Sequence, residues 1–304
     1  MMEGEFMKVM CVGHSTFDIT LPVKEYPTEN IKYRLDYHIE CGGGPASNGA
    51  YLLAKWGMDT TMVSVIGKDY YGDRIVDEFE KIGVHTDYIE KIDNHHTTSS
   101  YIIANMSNGS RTVLSSKDKP VRKLSRPVDM EADVILIDGE HPEAAHEALD
   151  RNPNAISVID AGRLNEDTKA LGKKVTYFVC SKDYAEEFTG RKIDIGNIEL
   201  LTSIWQELKD YFQTNVIITL EAPGSFTMID GVCQIIPSVK VKAVDSTGAG
   251  DIFHGAFTYF IANHYDLKQA IHYASITSAI SVTRVGTRFS IPVLSEVLGY
   301  EDVI

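Results

Sequence analysis

The chain has 304 residues, 43% of them hydrophobic, which is enough to bury a large α/β core and too apolar for a disordered segment. Its 43 acidic against 29 basic residues leave a formal charge of −14, which opposes nucleic acid as a main partner because phosphate backbones need clustered Lys and Arg. No apolar stretch approaches the length of a membrane span, residues 1–6 lack the features of a signal peptide, and Cys11, Cys41, Cys180 and Cys233 show no C-x-x-C spacing, so a soluble cytoplasmic protein with reduced thiols is expected.

In chain order, short apolar runs predict strands at residues 8–13, 60–66, 133–137, 155–159, 175–180 and 215–220. Helical patterns fall between them at 45–56, 70–82, 184–189 and 198–212, and three helices follow residue 251, at 252–262, 267–283 and 293–298. Glycine after the last apolar turn in Trp56-Gly57 and Ile82-Gly83 marks two helix ends. Such alternation predicts parallel strands joined by crossover helices, a three-layer α/β/α domain spanning residues 1–304. Two segments break it, 17–41 and 97–116, where residues 34–40 and 99–104 alternate in strand fashion and Asn108-Gly109 reads as a hairpin turn. Both follow strands of the main sheet, so they are expected to form a small antiparallel β lid over the strand ends, where open α/β sheets bind ligands and a flap excludes water.

Two glycine-rich stretches carry the chemistry. Asp245-Ser246-Thr247-Gly248-Ala249-Gly250-Asp251 runs into an apolar helix, so the backbone N–H groups of Gly248, Ala249 and Gly250 can approach a phosphoryl group at a helix N-terminus. Asp251 is then placed to take the proton of an attacking hydroxyl; the plain alternative is an acidic first helical turn. Gly42-Gly43-Gly44-Pro45-Ala46-Ser47-Asn48 reads as a turn that lets backbone come close to a polyhydroxylated ligand, with Asn48 offering donor and acceptor. Neither a P-loop nor a G-x-G-x-x-G is present. His95-His96 has no accompanying metal-ligand cluster in sequence and reads as a solvated loop, and His254, one turn beyond Asp251, reads as packing.

Together these stretches resemble the two signature regions of the ribokinase family of carbohydrate kinases, also called the phosphofructokinase B family. Further landmarks follow in the family's order: Gly13 to Asp18, Gly67-Lys68-Asp69-Tyr70-Tyr71-Gly72, Glu140, and Thr219-Leu220 with Gly224. The resemblance implies a ribokinase-like fold and an ATP-dependent sugar kinase, with Asp251 as base and the Gly248, Ala249 and Gly250 amides as anion hole. By the same resemblance Asp18, Gly43, Gly44, Asn48 and Glu140 contact the sugar, with Arg111 a further candidate. Ser181, Thr219, Gly224 and Ala243 fall at nucleotide-binding positions, with Ser275 and Ser278 on a helix lying along the adenine. Asp245, Thr247, Ser281, Arg284, Gly286 and Ser290 match a monovalent-cation site, so K⁺ joins ATP and Mg²⁺ as an expected cofactor.

Departures from the pattern bear on metal and substrate. Many relatives carry Asn-x-x-Glu to organise magnesium, whereas this chain has Ser181-Lys182-Asp183-Tyr184-Ala185-Glu186-Glu187; Asp183, Glu186 and Glu187 are candidate substitutes, against a solvated acidic helix face. Thr16 stands where ribokinases have Asn, which speaks against ribose. Asn108-Gly109-Ser110-Arg111 is similar to ketohexokinases, and the triple glycine with Asp251-Ile252-Phe253-His254-Gly255 is similar to bacterial sulfofructose kinases. The leading expectation is therefore transfer to a primary hydroxyl of a ketose such as fructose or a derivative, with Arg111 or Arg163 pairing any anionic substituent. The alternatives are a kinase for ribose, a nucleoside, a sugar acid or a phosphosugar, or a non-catalytic sugar-binding relative. The family likeness also implies a homodimer through the β lid, which would cover an otherwise open strand edge.

Overall fold

Strand β1 (Lys8–Val12) is apolar on both faces, as a strand in the middle of a parallel sheet must be. In the computed structural model, which describes residues 7–119 and 123–300, the chain then leaves the main sheet for β2 (Thr16–Val23) and β3 (Ile39–Gly43). Helix α1 (Pro45–Lys55) leads back to β4 (Asp59–Gly67), and α2 (Tyr70–Ile82) to β5 (His85–Ile92). A second excursion, β6 (Ser99–Asn105) and β7 (Ser110–Ser116), precedes β8 (Val134–Ile137). Next come α3 (Pro142–Arg151), β9 (Ile156–Ala161), α4 (Glu166–Gly172) and β10 (Tyr177–Ser181). Helices α5 (Lys182–Thr189) and α6 (Ile198–Phe212) precede β11 (Asn215–Thr219) and the hairpin β12 (Ser225–Ile229) and β13 (Val232–Ile236). Four helices complete the described chain: α7 (Ala249–Ala262), α8 (Leu267–Ser281), α9 (Thr287–Ser290) and α10 (Leu294–Leu298). The segment 1–6, read for a signal peptide, lies outside the described residues.

Nine strands form the main sheet in the order β13-β12-β11-β10-β9-β8-β1-β4-β5, parallel except at the β12–β13 edge. Strand alternation feeds two cores: Val9, Cys11, Leu136 and Ile217 pack with α1, α2, α7 and α8, while Met10, Val12, Ile137 and Ile218 pack with α3 to α6. This is the expected three-layer architecture. The chain starts at β1, runs outward to β5, and then continues from β8 on the other side, so the strand order reverses between β1 and β8. Such a reversal opens a crevice at the carboxyl ends of the two strands.

The lid is a four-stranded sheet in the order β3-β2-β6-β7. It is mixed rather than antiparallel throughout, because β2 runs parallel to β6 while the other two pairings are antiparallel. The strand expected at 34–40 is displaced: Arg34–Tyr37 is exposed loop, and the paired strand begins at Ile39 and takes in Gly42 and Gly43. Only Gly44 is a turn, at φ 99°, capping α1 ahead of Pro45.

Candidate active site

Two glycines bring the central pair of residues together. Helices α1 and α7 approach so closely that a Cβ on Gly255 would stand 3.0 Å from the Gly49 Cα. That crossing sets the neighbour of Gly49 against the first turn of α7, and Asn48 Nδ2 donates to Asp251 Oδ2 at 2.7 Å. The Oδ1 of Asn48 is buried and has no hydrogen-bond partner among the described residues. A buried acceptor in that condition costs free energy unless a ligand donor reaches it, and a sugar hydroxyl has the right chemistry.

The loop before α7 presents its amides to the same space. Ala249 N–H turns back to Ser246 O at 3.3 Å, but among the described residues the N–H groups of Gly248, Gly250 and Asp251 have no partner. Three unpaired donors at the start of a 14-residue helix suit an anion, with Asp251 standing in for Ala249 in the Gly248, Ala249 and Gly250 set expected from sequence. Beneath the first turn, His254 Nδ1 lies 2.6 Å from Gly250 O and 3.2 Å from Asp160 Oδ2. His254 is therefore a brace for the loop as well as a packing residue. Burial pushes the Asp160 carboxyl up to about 6, with His254 acting against that shift and Asp251 and Asp138 adding to it.

Opposite this loop stands Asp18 on β2. Thr16 Oγ1 donates to its Oδ1 at 2.8 Å, so the residue that departs from the ribokinase pattern spends its hydroxyl on orienting the carboxyl. Burial raises the Asp18 pKa to about 6, reinforced by Asp251 and opposed by Thr16, Arg288 and Ser100. Glu140, just past β8, behaves oppositely. Burial alone would raise it, but His14, at 3.2 Å, and Lys117, which donates to the same Oε1, hold it down at about 2. At the crevice between β1 and β8, half-buried Asp138 accepts the backbone N–H groups of His14, Glu140 and Ala46 at 2.8, 3.0 and 3.1 Å, tying both strand ends to α1.

The lid tip closes over the loop that precedes α7. Gly109 O accepts Ser246 N–H at 3.1 Å, and Arg111 Nη1 donates to Ser246 Oγ at 3.0 Å. Arg111, expected at the sugar, thus rests on the loop that precedes α7. Of the residues expected at the nucleotide, Ser181 caps α5, Thr219 ends β11 with its hydroxyl on Cys180 O, and Gly224 holds the following turn at φ 114°. Ala243 packs against Gly109, and Ser275 is buried within α8. Ser278 Oγ donates to Ala249 O at 2.8 Å, behind the first turn of α7.

For metals the two expectations fare differently. Asp245 is buried, and its carboxylate accepts Thr247 N–H at 2.9 Å and Gly286 N–H at 3.0 Å without a basic side chain beside it among the described residues. Ser281 Oγ turns to Ser278 O, Arg284 pairs with Glu296, and Ser290 Oγ bonds Thr287 O. A buried carboxylate that meets only two backbone N–H groups and the Thr247 hydroxyl suits a hard monovalent cation. No comparable fit exists for magnesium: among the described residues no group of three or more His, Cys, Asp or Glu is arranged to hold a metal. Glu186 is buried and paired with Lys192 and Ile193 N–H, so it is neither a magnesium substitute nor a solvated face. Of His95 and His96, expected to be solvated, His96 is exposed as expected and His95 is largely covered; both lie 3.3 Å from Asp118.

Sequence reasoning missed Asp138, Asp160, Lys117, Glu78 and Arg288. Asp138 carried a readable signal, an acid directly after an apolar parallel strand, at the edge where such sheets bind ligands, whereas Asp160 lies inside β9. Lys117 lies one residue beyond the predicted lid segment. Arg288 and Glu78 carried none, because 210 residues separate them.

A family model described as pfkB family carbohydrate kinase matches residues 7–294. The chain is similar to the deoxyribokinase of Salmonella typhi, with 26% identity over 95% of this chain and 97% of that one. It is similar to the ribokinase of Staphylococcus aureus, with 30% identity over 95% and 98%. Among solved structures, Arabidopsis thaliana ribokinase complexed with ribose and ATP superposes with a TM-score of 0.79 at 20% identity, covering 97% of this chain and 98% of that one.

Proposed function

The chain belongs to the pfkB family of carbohydrate kinases, and from that premise we propose that it transfers the γ-phosphoryl group of ATP to a hydroxyl of a pentose, ribose or 2-deoxyribose. The ketose expectation is set aside, since the curated relatives are named for ribose and deoxyribose. The reading of Thr16 against ribose loses its force as well, because Thr16 acts through Asp18. One observation supports the chemistry above the others: Asp251 is oriented by Asn48 directly beside three unpaired amides.

In this reading Asp18 and the free Oδ1 of Asn48 take sugar hydroxyls and place one of them at Asp251. Asp251 removes its proton as the oxygen attacks. The Gly248, Gly250 and Asp251 amides receive the negative charge on the transferring group, which needs positioning and charge stabilisation more than covalent help. Gly109 and Arg111 keep water away from the loop. Asp245 and Gly286 would hold a monovalent cation that steadies the loop electrostatically, and magnesium would arrive on the nucleotide phosphates. The exposed Ile31, Tyr33, Leu35, Val113 and Leu114 on and beside the lid support a homodimer through that face; a monomer mass by light scattering would exclude it.

The test is ADP release with Mg-ATP and K⁺ across D-ribose, 2-deoxy-D-ribose, D-fructose, gluconate and nucleosides. A pentose should turn over best, and Asp251→Asn should cut its kcat by about 10²–10⁴-fold while sugar still binds. Selective turnover of fructose would restore the ketose reading, and undiminished Asp251→Asn activity would remove Asp251 as base.

A further inference from the structure

Arg288 has no role in the chemistry described above, yet it is the most buried cation of the site, 2% exposed. Its Nη1 donates to Glu78 Oε2 at 2.8 Å and its Nη2 to Ser47 Oγ at 2.7 Å, while the guanidinium stacks on Phe79 and Tyr51. Its Nε has no partner. Glu78 Oε2 in turn accepts Gly42 N–H at 2.9 Å, so the guanidinium reaches the backbone of β3 through one carboxylate. Gly42 has no side chain for a concrete reason, since a Cβ there would fall inside the Arg288 guanidinium.

The same short helix, α9, is anchored on the phosphoryl side. Gly286 N–H bonds Asp245, and the Thr287 methyl occupies the space where a Cβ on Gly248 would stand. Consecutive residues therefore touch the buried carboxylate, the anion loop and the wall made by Gly42, Gly43 and Asp18. A buried ion pair is weak evidence of stabilisation, because desolvation offsets most of its Coulomb energy. Its better-attested use is to fix one arrangement.

We propose that Arg288 is a positioning residue of the phosphoryl transfer: through Glu78 and Ser47 it sets the Gly42–Gly43 wall of the sugar site relative to the anion loop that Thr287 packs against. It touches neither sugar nor phosphate. The consequence is that loss of Arg288 displaces the sugar site while the nucleotide side stays in place.

Two readouts separate this from a merely structural role. Cys41 is buried on the same wall, within reach of the Arg288 backbone, whereas Cys11 and Cys180 are buried in the sheet. In Arg288→Lys, peptide-resolved alkylation by N-ethylmaleimide should accelerate at Cys41 by about tenfold or more with Cys11 and Cys180 unchanged. In the milder Ser47→Ala, which removes one hydrogen bond, the acceleration should be smaller and in the same direction. The second readout rests on the pentose reading: with D-ribose as probe, sugar KM should rise about tenfold in Arg288→Lys against less than about twofold for Mg-ATP. Added guanidinium should restore Arg288→Ala in part. Equal acceleration at all three cysteines, or equal rises in both KM values, would overturn the proposal. Wild-type protein that leaves D-ribose untouched would sink the pentose reading alone, and Cys41 would then decide this one.

Discussion

Two glycine runs face each other across the site, and Gly250 of the second is glycine for a different reason from Gly42, Gly43 and Gly44 of the first. At Gly42, Gly43 and Gly44 the space of each missing Cβ is filled by protein: the Arg288 guanidinium, the Asp18 carboxyl and the His14 carbonyl. At Gly250 a Cβ would meet nothing within 4 Å. The first run is a packing solution that lets a buried cation and a buried acid stand against a strand end. In the second run Gly248 is filled in the same way, by the Thr287 methyl, and only Gly250 leaves open room beside unpaired amides. Sequence alone reads both as backbone exposed to substrate.

The largest expected effects come from adding a methyl group to each run. Gly44→Ala forces a Cβ into the His14 carbonyl at φ 99°, combining overpacking of about 1–3 kcal/mol with a left-handed penalty of about 1–2 kcal/mol. Its melting temperature should fall by several degrees. Gly250→Ala should melt within a degree or so of the wild type, since helix propensity favours Ala, yet lose about 10²-fold or more in kcat as the methyl crowds the anion site. A wild-type kcat in Gly250→Ala would show that the open space is not used, and an unchanged melting temperature in Gly44→Ala would show that the filled run has slack.

Asp18 and Glu140 sharpen the contrast, because the filled side holds two carboxylates shifted in opposite directions. Asp18 titrates near 6 in the fold, above its ordinary 3.8, so the stability it contributes is present below about pH 4 and lost as pH rises through 6. Its ionised form costs about 3 kcal/mol by linkage at pH 8. Asp18→Asn should therefore raise the melting temperature at pH 8 far more than at pH 4 while abolishing sugar binding. Glu140, held near 2, contributes stability above about pH 4.5 that is lost only toward pH 2, so Glu140→Gln should destabilise at pH 8. Thermal melts of both variants at the two pH values decide it; parallel shifts would mean that burial does not govern Asp18.

The legibility of the molecule follows the range of its interactions. Central strands were readable because they are buried on both faces, as at β8, with Val134–Ile137 wholly enclosed. Edge strands were not: β5 is half polar, and β12 and β13 add on antiparallel at the margin. In the lid, residues 34–37 alternate like a strand but are exposed loop, while the real strand β3 was hidden by glycines that disfavour strands in general. Asp251 and its loop were legible because a helix start is a local signal. Asn48 was legible as a polar residue after glycines, though its bond to Asp251 depends on the Gly49–Gly255 crossing. Asp138 carried a local signal at its strand end, whereas Arg288, Lys117 and Asp160 depend on partners brought close only by the finished topology.

The smallest effect concerns the support behind the open run. Ser278 Oγ donates to Ala249 O from α8, and its loss should cost about 1 kcal/mol of local stability. Because Ala249 lies between the Gly248 and Gly250 amides, loosening its carbonyl disturbs donor positions that matter in the transition state and leaves the adenine side alone. Ser278→Ala should accordingly lower kcat by about two- to fivefold with KM for ATP unchanged. The opposite pattern, a raised KM for ATP at constant kcat, would return Ser278 to the nucleotide surface that the family resemblance implies. Steady-state kinetics with varied ATP at saturating pentose distinguishes the two, and the answer bears on whether α8 reads the nucleotide or braces the loop.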